Sequence, residues 1–131
     1  TLKLSIDNFT EITQTRIALN EKDEITAIMD TALASILFNN LLTNAIKHNF
    51  ENQPISVVIE KHHVQVINVG TAGLSNPEYI FDRFYKESKK PDSTGLGLSI
   101  VKKICELYGF SPSYRFIECN KEHIFQIDFK N

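Results

Sequence analysis

A helical stretch with two asparagines on its polar face limits the possible fold of this chain more than any other feature. Residues 37–49 read LFNNLLTNAIKHN, and helical spacings of four and three place Asn40, Asn44 and Lys47 on one face. The apolar residues lie on a broad arc elsewhere: Phe38, Leu41, Leu42, Ala45 and Ile46. Asparagine forms helices poorly, but its amide oxygen can bind a cation while lysine attracts an anion. The pattern predicts a face for a metal-bound phosphate, and the alternative is a solvated polar stripe.

A glycine-rich segment nearer the C-terminus favours the phosphate interpretation. Residues 93–103 read STGLGLSIVKK, in which Gly95 and Gly97 immediately precede an apolar-periodic helix. The apolar positions of that helix are Leu98, Ile100, Val101, Ile104, Leu107 and Tyr108. Glycine lets the backbone approach a ligand closely, and the unpaired N–H groups of a first helical turn favour an anion. Such a loop is weak evidence alone, but together with the asparagine helix it predicts a phosphate site.

Three motifs, in this order along the chain, resemble the catalytic and ATP-binding domain of sensor histidine kinases, part of the Bergerat-fold GHKL ATPase superfamily. The resemblance covers about residues 12–130. The N box is matched by Asn40, Leu41, Leu42, Asn44, Ala45, Lys47 and His48. The F box is matched by Ile80, Phe81, Asp82, Arg83, Phe84, Tyr85 and Lys86. The last glycine box is matched by Thr94, Gly95, Leu96, Gly97 and Leu98, and Gly109 stands where the family ends the following helix.

The resemblance implies that ATP and Mg²⁺ are the ligands of this domain. By position, Asn44 would coordinate Mg²⁺, Asn40 would support the metal and the phosphates, and Lys47 would contact a phosphate. These three are the implied catalytic residues. His48 would lie near the nucleotide, although an exposed polar residue at the end of the helix is an equal alternative.

The implied nucleotide-binding residues extend beyond the asparagine helix. They are Asn40, Asn44, Lys47, His48, Asn68, Gly70, Gly73, Phe81, Phe84, Thr94, Gly95, Leu96, Gly97 and Leu98. Phe81 and Phe84 would hold the start of the ATP lid, unless they are plain core residues. Gly95, Gly97 and the backbone N–H of Leu98 would meet the phosphates.

The first glycine box departs from the family pattern at one position. Residues 67–74 read INVGTAGL, and Asn68 stands where the family normally has an aspartate that accepts a hydrogen bond from the adenine amino group. An amide oxygen can accept that bond without charge assistance, at a loss of about 1 kcal/mol, or several-fold in affinity. We therefore expect weakened but retained adenine recognition, and Asn68→Asp should tighten ATP binding.

The identity of residue 40 separates mechanisms within the superfamily. Members that activate water or a serine hydroxyl usually carry a glutamate there as general base, whereas this chain has Asn40. An amide cannot accept a proton, but a neutral imidazole acceptor is already nucleophilic near pH 7. We therefore expect transfer of the ATP γ-phosphoryl group to histidine. Two alternatives stay open: a degenerate pseudokinase module with weak or no ATP binding, and a water-activating ATPase of the chaperone or mismatch-repair type.

The remaining sequence predicts an α/β two-layer sandwich in which about three helices cover one face of a mixed β-sheet. Strands are expected at residues 15–19, 25–29, 55–59, 64–67, 114–117 and 123–129. Residues 60–63 would close a hairpin. Helices are expected at about residues 30–48, 77–86 and 99–108. The motifs would then lie on one helix and two loops, where a single pocket could form.

Length and charge bound the organisation and the partners of the chain. Its 131 residues, 42% of them hydrophobic, can bury one sizeable core. We expect a residual upstream segment or linker over residues 1–11 and the catalytic domain over residues 12–131. A net charge of −2 gives no basic field to hold nucleic acid. Cys105 and Cys119 lack metal-ligand spacing and are expected to be reduced thiols.

The resemblance also implies partners that this sequence does not contain. A histidine kinase needs a helical dimerisation domain that carries the acceptor histidine, and no second helical hairpin is predicted here. We expect the chain to be the C-terminal, cytoplasmic part of a larger bacterial sensor anchored in the inner membrane. The isolated domain would be monomeric and the parent homodimeric, and a response regulator would act downstream.

Overall fold

Five strands and two helices make up the part of the chain that the computed structural model describes, residues 17–21, 29–50, 53–60, 62–70, 80–81 and 97–129. Their order is β1 (Ile17–Glu21), α1 (Thr31–Lys47), β2 (Ile55–Glu60), β3 (His63–Val69), α2 (Gly97–Tyr108), β4 (Ser111–Ile117) and β5 (Glu122–Asp128). The strands form one mixed sheet in the order β1-β2-β3-β5-β4. Strand β1 runs parallel to β2, and every other neighbouring pair is antiparallel.

The first helix begins at an aspartate cap. The Oδ1 of Asp30 accepts the backbone N–H groups of Ala32 at 2.9 Å and Leu33 at 3.1 Å, which the first turn cannot bond internally. The N–H of Asp30 donates to the hydroxyl of Tyr108 at 3.0 Å. The start of α1 is therefore bonded to the end of α2. At its other end α1 stops with His48 as the C-cap.

A glycine ends the second helix. Gly109 has a φ of 73°, in the left-handed region that favours glycine. The N–H of Phe110 donates to the carbonyl of Cys105 at 2.8 Å and closes the last turn. The expectation that Gly109 ends this helix is confirmed.

One core lies between the two helices and a single face of the sheet. Its helical part consists of Ala34, Leu37, Phe38, Leu41, Leu42, Ala45, Val101, Ile104 and Cys105. Side chains alternate along a strand, so β3 and β5 contribute Val64, Val66, Phe125 and Ile127. The same alternation places Asn68 and His123 on the core face, and both are buried. The sheet therefore carries polar groups at one end of an apolar surface.

The predicted fold class is confirmed, with differences in detail. The helices expected at 30–48 and 99–108 are α1 and α2, and a hairpin joins β2 and β3 as expected. The first strand continues to Glu21, beyond the predicted end at residue 19. The prediction of a helix at 77–86 is wrong at the two residues described there, because Ile80 and Phe81 form a turn. The rest of that segment and residues 25–28 of the second predicted strand lie outside the described residues, and Met29 is not in a strand.

Among the helices described, none is long and apolar enough to cross a membrane.

Candidate functional site

The polar residues of α1 lie on one half-buried face, as their spacing predicts. Asn40 donates from Nδ2 to the carbonyl of Ile36 at 2.8 Å, which leaves its Oδ1 for other partners. A Cβ added to Gly97 would lie only 3.2 Å from that Oδ1, so this close approach favours glycine. The structure therefore brings the start of the glycine-box helix against the asparagine helix.

Asn44 lies one turn further along the same face of α1. Its Nδ2 is buried and has no hydrogen-bond partner among the described residues. Leaving such a donor unpaired costs about 1–3 kcal/mol, so this N–H group calls for an acceptor from a ligand or a water. Lys47 follows in the last turn and adds a basic side chain to this face.

Hydrogen bonds connect the end of α1 to the end of β3. The carbonyl oxygen of His48 accepts from the Nδ2 of Asn68 at 3.2 Å. The Oδ1 of Asn49 accepts the N–H of Val69 at 3.0 Å, and the N–H of Phe50 donates to the carbonyl of Val69 at 2.9 Å. The N box and the first glycine box are therefore held side by side, although His48 itself is exposed.

The geometry of Asn68 specifies one kind of ligand group. Its side chain is 1% exposed, and its Nδ2 is bonded to the carbonyl of His48. A carbonyl oxygen only accepts hydrogen bonds, so this contact fixes which amide atom is Nδ2 and which is Oδ1. The Oδ1 is buried and has no partner among the described residues. This end of the sheet therefore presents a fixed acceptor that requires a donor.

The same bond revises the expectation that Asn68→Asp tightens ATP binding. An aspartate would put a carboxylate oxygen against the carbonyl of His48, where two acceptors repel each other and the 3.2 Å hydrogen bond is lost. This loss opposes any gain in charge toward the adenine amino group. We therefore expect a less stable domain and no net gain in affinity.

Two residues outside the sequence motifs, His123 and Tyr114, lie at the same end of the sheet. His123 on β5 is the register partner of Asn68 and is 7% exposed. Its Nδ1 lies 2.8 Å from the hydroxyl of Tyr114 on β4. Burial lowers the pKa of His123, and the nearby His48 lowers it further as the smaller effect. The imidazole is therefore neutral near pH 7. The sequence signal for this residue is the apolar alternation along β5, which puts a histidine at a core-facing position.

Gly70 makes room for the imidazole of His123. A Cβ on Gly70 would lie 2.7 Å from the Nε2 of His123 and 3.3 Å from the carbonyl oxygen of His48. The N–H of Gly70 donates to the carbonyl of Lys121 at 3.0 Å. Among the glycines described, only Gly109 has a positive φ. Glycine is therefore required at position 70 because a side chain would not fit there. The backbone conformation at this position would accept other residues.

The other predicted site residues divide between the core and segments outside the description. Phe81 packs against the core with its ring edge to face on Phe125, the centroids 6.4 Å apart, which agrees with either interpretation of Phe81. Leu98, in the first turn of α2, also packs against the core. The remaining predicted residues lie outside the described part of the chain: Gly73, Phe84, Thr94, Gly95 and Leu96.

The polar face of α1 suits a hard cation only when other ligands complete its shell. Mg²⁺ prefers oxygen ligands and is usually held by one or two protein groups, several waters and the phosphates of a substrate. Asn40 and Asn44 can each supply an amide oxygen. No cluster of three histidine, cysteine or acidic side chains that could hold a metal by itself occurs among the described residues. The donors therefore fit a Mg²⁺ ion that arrives with the phosphates of its ligand.

Sequence comparisons indicate one family. A profile of the histidine kinase-, DNA gyrase B- and HSP90-like ATPases matches residues 29–129. Sensor histidine kinase HprS of Escherichia coli (strain K12) is 33% identical over 104 residues, which are 75% of this chain and 23% of that protein. Signal transduction histidine-protein kinase ArlS of Staphylococcus aureus (strain USA300) is 37% identical over 102 residues, 71% of this chain and 22% of that protein. The chain thus spans less than a quarter of the length of these relatives.

Solved structures with the same fold cover nearly the whole chain. The nucleotide-free catalytic domain of histidine kinase ThkA superposes with a TM-score of 0.77 and 26% identity over 97% of this chain and 89% of that one. The mycobacterial sensor histidine kinase MprB gives a TM-score of 0.79 at 18% identity, covering 96% of this chain and 89% of that one. The second likeness concerns the fold alone.

Proposed function

Because this chain belongs to the histidine kinase-, DNA gyrase B- and HSP90-like ATPase family, we propose that it binds ATP with Mg²⁺ and is the catalytic domain of a sensor histidine kinase. It would transfer the γ-phosphoryl group of ATP to a histidine on a dimerisation domain of the same parent protein. The names of HprS and ArlS, both histidine kinases, support this choice within the family.

The observation that carries the proposal is the unpaired Oδ1 of Asn68. This acceptor is buried, its orientation is fixed by His48, and no described residue satisfies it. The 6-amino group of adenine is a donor of the required kind. Bonding it would remove the cost of about 1–3 kcal/mol that an unpaired buried acceptor imposes.

The phosphates would lie between the polar face of α1 and the start of α2. Lys47 supplies a positive charge there, and the first-turn N–H groups of α2 favour an anion. The close approach of Gly97 to Asn40 supports this arrangement, because it brings together the two elements proposed to bind phosphate.

Asn44 would hold Mg²⁺ with support from Asn40, since both present amide oxygens. The ion would neutralise charge on the phosphates during transfer. Asn40 cannot remove a proton, so the domain would act by positioning the nucleotide and by balancing its charge. A neutral histidine acceptor needs no general base, which favours this acceptor over water or a hydroxyl.

The statements about the parent protein belong to the same proposal. The chain would be the cytoplasmic catalytic domain, residues 12–131, of a sensor anchored in the bacterial inner membrane. It would be monomeric in isolation and homodimeric in its parent. A downstream response regulator would receive the phosphoryl group.

Transfer of phosphate to histidine tests the proposal. The domain is mixed with γ-labelled ATP, Mg²⁺ and the separately purified dimerisation domain of its parent, and the label on the acceptor is counted after acid and base treatment. We expect label that is labile in acid and stable in base. It should be lost in Asn44→Ala and kept in Asn39→Ala, since Asn39 is an exposed residue of the same helix.

Two other outcomes would point to rival functions. Steady phosphate release by this domain alone would indicate a water-activating ATPase. Neither label transfer nor nucleotide binding by the folded domain would indicate a degenerate pseudokinase module.

A further inference from the structure

Buried His123 and half-buried Tyr114 form a pair beside Asn68 at the proposed nucleotide site. The imidazole of His123 stacks on the ring of Tyr114, with centroids 5.9 Å apart, and packs against Phe116 at 4.8 Å. Its Nδ1 is 2.8 Å from the hydroxyl of Tyr114. Burying an imidazole is costly unless its nitrogens form hydrogen bonds. Tyr114 accounts for one of the two nitrogens, and Nε2 is the other.

The hydrogen bond to Tyr114 fits either neutral tautomer of His123, because a hydroxyl can donate to Nδ1 or accept from it. A neutral imidazole has one donor and one acceptor nitrogen. In one of the two tautomers the O–H of Tyr114 donates to Nδ1. The ring proton then lies on Nε2, and His123 becomes a hydrogen-bond donor on the side away from Tyr114.

The sheet places this donor next to the free acceptor. Asn68 and His123 are direct register partners on β3 and β5, and both side chains are on the core face. Side chains of directly paired residues are close neighbours, with Cβ atoms about 4.5–5.5 Å apart. The absence of a side chain at Gly70 leaves space for the Nε2 edge of the imidazole. With its proton on Nε2, His123 presents an imidazole donor beside the amide acceptor of Asn68 at this end of the sheet.

Among adenine, guanine and hypoxanthine, this pair matches the edge of adenine alone. Adenine carries a 6-amino donor beside the N1 acceptor, whereas guanine and hypoxanthine carry a 6-oxo acceptor beside an N1–H donor. Asn68 cannot turn its amide to suit the second pattern without losing its bond to His48. We propose that His123, oriented by Tyr114, donates from Nε2 to N1 of adenine while Asn68 accepts from the 6-amino group, so that both residues together select adenine over guanine and hypoxanthine. The inference rests on the proposed function, since it concerns the base of the same nucleotide.

A purely structural role makes a different prediction. If His123 only fills space among Tyr114 and Phe116, replacing it would change the stability of the domain but not its preference between bases. If His123 recognises N1, replacing it should weaken the binding of a ligand that has N1 more than the binding of a ligand that lacks it. An analogue that lacks N1 alone separates the two roles.

Calorimetric titration with ADP and 1-deaza-ADP provides this test, because the analogue keeps the 6-amino group and replaces N1 with C–H. The wild-type domain should bind ADP about fivefold more tightly than 1-deaza-ADP, the worth of one neutral hydrogen bond. In His123→Phe, which keeps an aromatic ring, the two ligands should bind within about twofold of each other. Tyr114→Phe should also lower the ratio. His62→Phe, a change at an exposed residue next to the far end of β3, should keep the wild-type ratio.

Two results would overturn the inference. One is a wild-type ratio near one, and the other is the same fivefold preference in His123→Phe as in wild type. If the folded wild-type domain does not bind ADP at all, the proposed function fails first and this inference fails with it. Thermal unfolding of each variant shows whether the titrated protein is folded.

Nitrogen-15 NMR of the wild-type histidine rings needs no variant. Of the four histidines in the chain, His123 should show protonated Nε2 and unprotonated Nδ1 near pH 7. Its Nε2 signal should shift on adding ADP and should shift much less with 1-deaza-ADP. A proton on Nδ1, or equal shifts with both ligands, would contradict the proposal.

Discussion

Gly70→Ala gives a direct test of how the end of β3 is packed. The new methyl group would lie 2.7 Å from the Nε2 of His123, a distance that Cβ atoms essentially never show, and 3.0 Å from its Cδ2. The imidazole is held by Tyr114 and packed on Phe116, so it cannot move freely. Overpacking of this kind costs about 1–3 kcal/mol. With an unfolding entropy of about 2.1 cal/mol/K per residue over 131 residues, Tm should fall by about 4 to 11 °C.

A double-mutant cycle identifies the cause of that loss. Differential scanning calorimetry or urea denaturation is applied to wild type, Gly70→Ala, His123→Ala and the double variant. Without the imidazole, Gly70→Ala should cost less than about 0.5 kcal/mol or even stabilise, because alanine restricts the unfolded chain. Gly109→Ala is the matched control: its cost comes from a φ of 73°, and His123→Ala should not relieve it. Equal costs of Gly70→Ala in both backgrounds would refute the assigned contact.

Three further predictions concern the helix cap, the buried histidine and the two thiols. Asp30→Ala removes the acceptor for two first-turn N–H groups of α1 and should lower the free energy of unfolding by about 0.5–2 kcal/mol in urea denaturation. Burial, and to a smaller extent His48, lowers the pKa of His123 below 6.5 in the folded state. As the pH falls, the unfolded chain therefore takes up this proton before the folded chain does. Stability should therefore fall as pH drops from about 6.5 toward the lower folded-state pKa, and urea midpoints at pH 7.5 and 5.5 should differ more in wild type than in His123→Phe. Burial raises the pKa of Cys105 to about 12, whereas Cys119 is exposed, so iodoacetamide followed by peptide mass spectrometry should modify Cys119 first and Cys105 only on unfolding.

The sequence alone predicted the helices and the hairpin because their signals are local. The apolar arc of α1 and the glycine after α2 act within a few residues, and each is found where the pattern indicates. The turn at Ile80 and Phe81 shows the limit of that reasoning. The apolar residues of the segment are spaced as in a short helix, but Ile80 is buried in the core, and contacts with residues distant in the sequence leave no local periodicity.

The candidate site was predicted in part, for a related reason. The motifs identified residues on α1 and at the ends of β3 and α2, but cross-strand register decides which side chain lies next to Asn68. That neighbour, His123, is far away in the sequence and comes close only through the β3–β5 pairing. The hydrogen bond from Asn68 to the carbonyl of His48 is equally invisible in the sequence, and because of it we no longer expect Asn68→Asp to tighten ATP binding.

Binding of a non-hydrolysable ATP analogue, measured by calorimetry with and without Mg²⁺, tests most directly whether these elements form a nucleotide site. Wild type and Asn39→Ala should bind the analogue more tightly with Mg²⁺ than without it. Asn44→Ala should lose the Mg²⁺ dependence, since it removes the amide proposed to hold the ion. Absence of binding at millimolar analogue by a domain that unfolds cooperatively, or a Mg²⁺ effect unchanged in Asn44→Ala, would contradict the account.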